Sequence, residues 1–303
     1  MSYLLRRLAA CAAQLAAVSL LTFLLFSVIP GDFYSAERWN PQSTSASLDQ
    51  WRKEQGLDQP WPRRYSTWLR SCARGDFGVS TAYRMPVSRL LAPRLGKTLQ
   101  VVMPALLASW MFGIGLAFVA VRGGRGLLLR GFESGAGSFA MAPDVLVVSL
   151  LVWIAVWTGA SLTSVWLPAA GLALVMTPAI FLHASRGLAA ARDLAFVRIA
   201  AQRGVPAGRL WLRFVLPAAA NPLVSLFGLS IAGALSASLA AEAITGWPGL
   251  GPLFLEAVQS RDYPVVQAVV LLLAAVLTFS NLAADLALYR LDPRIRLAHE
   301  AHT

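Results

Sequence analysis

Six stretches of this chain stay apolar for about the 20 residues that a helix needs to cross a bilayer, and charged or turn-forming residues end each one. They run from about Leu8 to Ile29, Thr98 to Val121, Ser134 to Trp157, Trp166 to Ser185, Leu216 to Ile244 and Val265 to Leu288. The first follows Arg6 and Arg7 and stops at Pro30-Gly31-Asp32. Its apolar run exceeds that of a cleaved leader and no small-x-small cleavage site follows, so it reads as an uncleaved anchor. Gly113, Gly115, Pro143, Pro178, Pro222, Gly228 and Gly233 lie inside the spans. Such residues permit close helix contact and kinks, which points to a packed bundle. The expected fold class is all-α, a polytopic membrane protein with six transmembrane helices. The expected division is an anchor at 1–30, an extracytoplasmic segment at 31–97, a core of five spans at 98–289 and a tail at 290–303.

Orientation follows from the basic residues of the short connections. Arg6 and Arg7, then Arg122, Arg125 and Arg130, then Arg186, Arg192, Arg198, Arg203, Arg209 and Arg213, then Arg290, Arg294 and Arg296 fall on one side. Arg261 stands on the other. The segment 31–97 is longer than the roughly 60 residues over which the positive-inside rule is counted. Both termini are expected in the cytoplasm. The long segment interleaves Trp39, Trp51, Trp61 and Trp68 with prolines, and Leu48 to Leu57 reads as helical.

Composition narrows the class further. Of 303 residues, 57 % are in the hydrophobic set and only 14 % are charged, where about 25 % charged is usual for soluble domains. A water-soluble fold of this size cannot hide so much apolar surface. The net charge is +11, yet the basic residues sit between apolar runs and not along a soluble face, so no nucleic-acid partner is expected. Cys11 and Cys72 fall in very different surroundings, which argues against a bridge.

The connection between spans four and five, 186–215, is too long for a turn and too polar to span. Leu194, Val197 and Ala201 share one helical face; Gly204 fits a helix C-terminal cap and Pro206 the first turn of a following helix. Two short helices joined at a bend, with an apolar ridge toward the cytosol, suit a groove on a partner. The competing reading is an amphipathic helix resting on anionic headgroups.

This loop resembles the "EAA" loop of ABC importer permeases, in which Glu-Ala-Ala is followed by three residues, Gly, nine residues and Ile-x-Leu-Pro. Here the positions are Arg198-Ile199-Ala200, Gly204 and Phe214-Val215-Leu216-Pro217. Arg in place of the acidic residue is similar to the dipeptide/oligopeptide/nickel branch, whose version reads Val-Arg-Thr-Ala-Arg-Ala-Lys-Gly. The resemblance extends to Ile29-Pro30-Gly31-Asp32, Gly56-Leu57-Asp58-Gln59-Pro60, Gly75-Asp76-Phe77-Gly78-Val79-Ser80, Glu242 with Trp247-Pro248-Gly249-Leu250-Gly251, Arg261 to Gln267, Asn281 with Asp285, and Leu291 to Arg296. It implies a type I ABC importer permease fold in the plasma membrane and a channel-forming subunit for peptides or related solutes delivered by a binding protein. It further implies pairing with a second homologous permease on two ATPase subunits, with Phe196, Val197, Arg198, Ala200, Arg203, Gly204, Arg209, Leu216 and Pro217 in the ATPase-coupling loop. The branch spans dipeptides, oligopeptides, nickel chelates, glutathione and opines, and Thr245 departs from the aromatic usual after the Glu242 motif.

No ATP hydrolysis is expected in this chain. It has no Gly-x-x-x-x-Gly-Lys-[Ser/Thr] phosphate cradle, and Gly123-Gly124-Arg125-Gly126 lacks both the Lys and a preceding strand. No catalytic residue, metal ligand or cofactor is expected. Asp144, placed near the middle of span three, reads equally as a polar lining of the solute path or as a carboxyl satisfied at the Pro143 kink. Glu242 and Asp262 flank the connection from Thr245 to Pro264 and either face a solute gate or, the favoured reading, hold that segment in place. Asn281 and Asp285 share a helical face suited to interhelical bonding, and Trp153, Trp157 and Trp166 suit an aromatic belt. His183 lacks companions at metal-ligand spacing. Two other functions compete: an intramembrane hydrolase using Ser230 and His183, against which their different depths argue, and a secondary carrier, against which the lack of internal repeats argues.

Overall fold

The computed structural model describes residues 2–28, 59–123 and 127–291. The helix expected over Leu48 to Leu57, the tryptophans Trp39 and Trp51 and the tail after Leu291 lie outside the described residues. Among the described residues, twelve α-helices and one π-helical turn follow in order: α1 Ser2–Val28, α2 Trp61–Cys72, α3 Val87–Arg122, α4 Leu127–Ala140, α5 Asp144–Thr158, α6 Trp166–Arg192, α7 Ala195–Gln202, α8 Ala207–Leu210, the π turn Trp211–Val215, α9 Leu216–Ala218, α10 Ala220–Thr245, α11 Leu250–Gln259 and α12 Tyr263–Leu291. Five of them, α1, α3, α6, α10 and α12, are long and apolar enough to cross a membrane. The pair α4 and α5 makes a sixth span if counted as one, bent by 95°.

That bend corrects the continuous third span expected from Ser134 to Trp157. Pro143 has no N–H to continue α4, and its ring drives Ala142 out of helical conformation, so α4 closes on turn bonds from Met141 and Ala142 and α5 starts afresh. Apolar counting is blind to this because, Asp144 apart, the residues around the break are apolar and the window still passes as one span. Pro93, Pro104 and Pro178 are carried inside α3 and α6 without ending them.

The helix α3 starts eleven residues before its expected boundary at Thr98. Its 36 residues rise about 54 Å at 1.5 Å each, well beyond a hydrocarbon core of about 30 Å. The extra turns exist because Val87 and Leu91 bury against Leu250, Leu253, Ala257, Val265, Val266 and Val269 of α11 and α12. At its other end α3 gives Ala117 and Val121 to a second cluster with Phe181, Ala184, Leu188 and Ala191 of α6, Val197 of α7 and Trp211 and Val215 of the π turn. A third cluster around Val101, Ala105, Leu172 and Leu235 fills the middle. Close approach holds the spans together: a Cβ on Gly113 of α3 would come within 2.7 Å of Ile180 of α6, and one on Gly228 of α10 within 2.7 Å of Ala284 of α12. The bundle thus has a loop end, carrying α7 and the π turn, and an opposite end, carrying α2, the 79–86 corner and α11.

Candidate functional site

The loop end is built around the left-handed turn at Gly204. The α7 helix ends with the Gly204 N–H donating to the Ala201 carbonyl (3.0 Å) and the Val205 N–H to the Ala200 carbonyl (3.3 Å), the paired bonds of a Schellman cap. Gly204 itself sits at φ +76°, a region that costs a side-chain-bearing residue about 1–2 kcal/mol. Pro206 then occupies the position just before α8 and not its first turn. From Ala207 the chain stays helical into α10, passing through the π turn and a break at Ala219. The second helix of the loop is therefore the entrance to the fifth span and not a separate piece.

The expected ridge is redistributed by packing. Val197 is 1 % exposed and Ala200 is buried, both facing the cluster that includes Trp211 and Val215. Phe118 of α3 meets Trp211 edge-on, with ring centroids 4.9 Å apart. Leu194 and Ala201, assigned to the same face as Val197, are exposed instead; Leu194 is extended (ψ 141°) and precedes the helix, so it does not share the helical face. The apolar groups presented to solvent are Phe196 at 48 %, Ile199 at 49 % and Leu212 at 67 % exposure. Arg198, Arg203, Arg209 and Arg213 are exposed around them, as are Gly204 and Pro217, while Leu216 is half-buried. Phe196, Ile199 and Arg203 follow one another at helical spacing on one face. Ile199 and Leu212 are the contributors that sequence periodicity missed. A single apolar face was assumed, whereas α7 is apolar on two sides, one of them buried.

At the opposite end two carboxyl groups are enclosed. Glu242 is 0 % exposed and accepts from the Thr98 hydroxyl (3.1 Å) and the Gly251 N–H (2.8 Å); Thr98 in turn accepts from the Leu250 N–H (2.8 Å). A Cβ on Gly251 would run into the Leu239 carbonyl and Glu242, so glycine there is what lets the start of α11 reach the carboxyl. Trp247 donates its indole N–H to the Lys97 carbonyl (3.0 Å), and the Lys97 ammonium lies 5.5 Å over the same ring. Asp262 is also 0 % exposed. It accepts from the Ser80 hydroxyl and from the N–H groups of Thr81 and Ala82, both at 3.2 Å. Nearby, Tyr83 donates to Glu256, which raises the tyrosine's pKa, and burial pushes the Cys72 thiol up to about 11, aided by Asp76. Sequence reasoning singled out Glu242 and Asp262, whereas Ser80 entered only as the end of the Gly75–Ser80 stretch and Thr98 only as the start of a span, neither as the partner of a carboxyl.

Other candidates land as follows. Asp144 opens α5 as an exposed first-turn residue at the break between α4 and α5, where its charge suits the helix N-terminus. His183 Nδ1 pairs with its own helix's Ala179 carbonyl (2.8 Å), and the Ser230 hydroxyl donates to Leu226 (2.7 Å). Both polar groups are thus engaged locally and the geometry forms no nucleophile and base pair. Asp285 pairs with Arg7 (2.9 Å), joining α12 to α1. Trp153, Trp157 and Trp166 are exposed. Among the described residues no cluster of His, Cys, Asp and Glu suited to a metal occurs.

Comparison with known proteins adds the assignment. Residues 111–297 match the family described as binding-protein-dependent transport system inner membrane component, and residues 1–102 match the N-terminal region of such membrane components. The glutathione transport system permease of Shigella boydii is 30 % identical over 98 % of this chain and 99 % of its own length. That of Escherichia coli strain K12 is 29 % identical with the same coverage, and a probable peptide ABC transporter permease of Sinorhizobium fredii is 28 % identical over 97 % of this chain and 99 % of its own. In structure, a chain of the inward-facing MetNI methionine ABC transporter matches with a TM-score of 0.56 at 16 % identity, covering 67 % of this chain and 96 % of that one. The chain belongs to the binding-protein-dependent transport system inner membrane component family, as a channel-forming, multi-pass permease subunit of an ABC importer whose ATPase is a separate subunit.

Proposed function

We propose that the exposed ridge of Phe196, Ile199 and Leu212, ringed by Arg198, Arg203 and Arg209, is the surface that docks into the ATPase subunits. The observation that carries this reading is the division of α7 into two apolar sides, with Val197 locked into the bundle and Phe196 and Ile199 held out in solvent. A helix fixed on one side and sticky on the other transmits force, whereas a helix lying on headgroups would bury its one apolar side in lipid. In this reading the loop end and both termini are cytoplasmic, consistent with the arginines of the short connections. The subunit pairs with a second homologous permease, sits on two ATPase subunits and receives solute from an extracytoplasmic binding protein. The solute is a peptide or a peptide-like molecule such as glutathione, following the names of the full-length relatives. Asp144, exposed at the start of α5, is the candidate for the solute path; Glu242, enclosed by Thr98 and Gly251, is assigned to the joint that holds α11.

Co-purification of the tagged chain expressed with its neighbouring genes tests the assembly, and vesicle uptake tests the activity. Two ATPases, a second permease, and uptake that needs both ATP and the binding protein are expected. Purification alone, or uptake driven by an ion gradient without ATP, would overturn the reading.

A further inference from the structure

We infer that Arg192 is a positioning residue that carries displacement of α7 to the end of α3. The inference rests on the docking role of α7 given above. Arg192 is the last residue of α6, and its guanidinium Nη1 donates to the Val121 carbonyl of α3 at 2.8 Å from a half-buried position. Val121 lies in the last turn of α3, where carbonyls have no partner within the helix and a positive charge is favoured by the helix dipole. Only Asp193 and Leu194 separate Arg192 from α7, and the Leu194 carbonyl accepts from both Val197 and Arg198 at 3.1 Å. The docking helix therefore cannot shift without dragging the end of α6, and Arg192 extends that tie to α3. Along their length α3 and α6 are already in close contact at Gly113 and Ile180. A pull on Phe196 or Ile199 then moves α3 and α6 together, and α3 runs on to Thr98 and Val87 at the opposite end. Arginine suits this task because its planar fork holds a carbonyl in a fixed direction, which a lysine ammonium does less well.

The competing account is that the apolar cluster of Ala117, Val121, Leu188, Val197 and Trp211 transmits the motion unaided. The two differ in the number of ATP molecules hydrolysed per solute moved, measured with the complete transporter in vesicles supplied with ATP and binding protein. Arg192→Ala is expected to raise that ratio at least about fivefold, the low end of a usual coupling energy, while the ATPases still co-purify. Arg192→Lys, which keeps a donor and a charge, should recover part of the loss. A ratio within about twofold of wild type for Arg192→Ala overturns the inference. If Phe196→Asp leaves ATPase association and uptake intact, the docking role itself fails, and with it this extension of it; a failure of Arg192→Ala alone leaves docking standing. A second measurement does not depend on the variant folding: spin labels at Gln202 and Arg122, both exposed, in an otherwise wild-type chain lacking Cys11 and Cys72. Their separation should change by less than about 2 Å between nucleotide-free and ATP-trapped states, and a change beyond about 5 Å would show the two helix ends moving independently.

Discussion

The hydroxyl of Thr98 joins Glu242 to the first turn of α11: it donates to the buried carboxyl at 3.1 Å and accepts from the Leu250 N–H at 2.8 Å. One side chain of α3 thus ties together the end of α10 and the start of the short helix that caps the bundle. Glu242→Ala leaves the Gly251 N–H and the Thr98 hydroxyl without their acceptor, and each unsatisfied buried donor costs about 1–3 kcal/mol. A fall of roughly 5–10 °C in the thermal midpoint of the detergent-purified protein is expected. Glu242→Gln should lose less, because its amide oxygen still accepts from Gly251. A midpoint unchanged by Glu242→Ala would refute the joint.

Gly204 stands at φ +76° in open space, so substitution there is opposed by backbone strain and not by a clash. Gly204→Ala is expected to cost about 1 kcal/mol and the β-branched Gly204→Val somewhat more. Insertion should be unchanged, since α7 lies outside the spans, and the thermal midpoint should fall by no more than about 2–4 °C, while ATP-driven uptake falls, more for Val than for Ala. Normal uptake by Gly204→Val would show that the bend is not needed for coupling.

Burial raises the Cys72 thiol from an ordinary 9.0 to about 11, with Asp76 adding to the effect. A raised thiol pKa favours the neutral, unreactive form, so at pH 8 the thiolate is about a hundredfold scarcer than for an unperturbed thiol. Alkylation by a maleimide, followed by mass spectrometry, should therefore be slow in the folded protein and fast after denaturation. Asp76→Asn should speed it only modestly, because desolvation is the larger cause. Rapid labelling of the folded protein at pH 8 would place Cys72 in water.

The spans were legible because each is an apolar run long enough to register by counting, and α6, α10 and α12 lie close to their expected positions. Counting failed where local geometry or distant packing decides. Pro143 breaks an unbroken apolar window, and Val87 and Leu91 extend α3 beyond its polar-looking start because they bury against α11. The loop was found from the spacing of Gly204, Pro206 and Pro217, but periodicity could not tell which side of α7 faces the bundle. That is settled by Trp211 and Val215, which the π turn places in the same buried cluster as Val197. The carboxyl of Glu242 was visible in the sequence, whereas its partner Thr98, 144 positions away, has no local mark. Arg192 was read as one more positive-inside arginine, and only its reach to the Val121 carbonyl distinguishes it.

The most direct test of the central claim is site-specific photo-crosslinking in the assembled transporter, with a photoreactive amino acid placed in turn at Phe196, Ile199 and Val197. Phe196 and Ile199 should each capture an ATPase subunit, and Val197, 1 % exposed, should give only bonds within the chain. Absence of ATPase capture from both Phe196 and Ile199, with lipid adducts in its place, would contradict the docking surface and return the loop to the membrane.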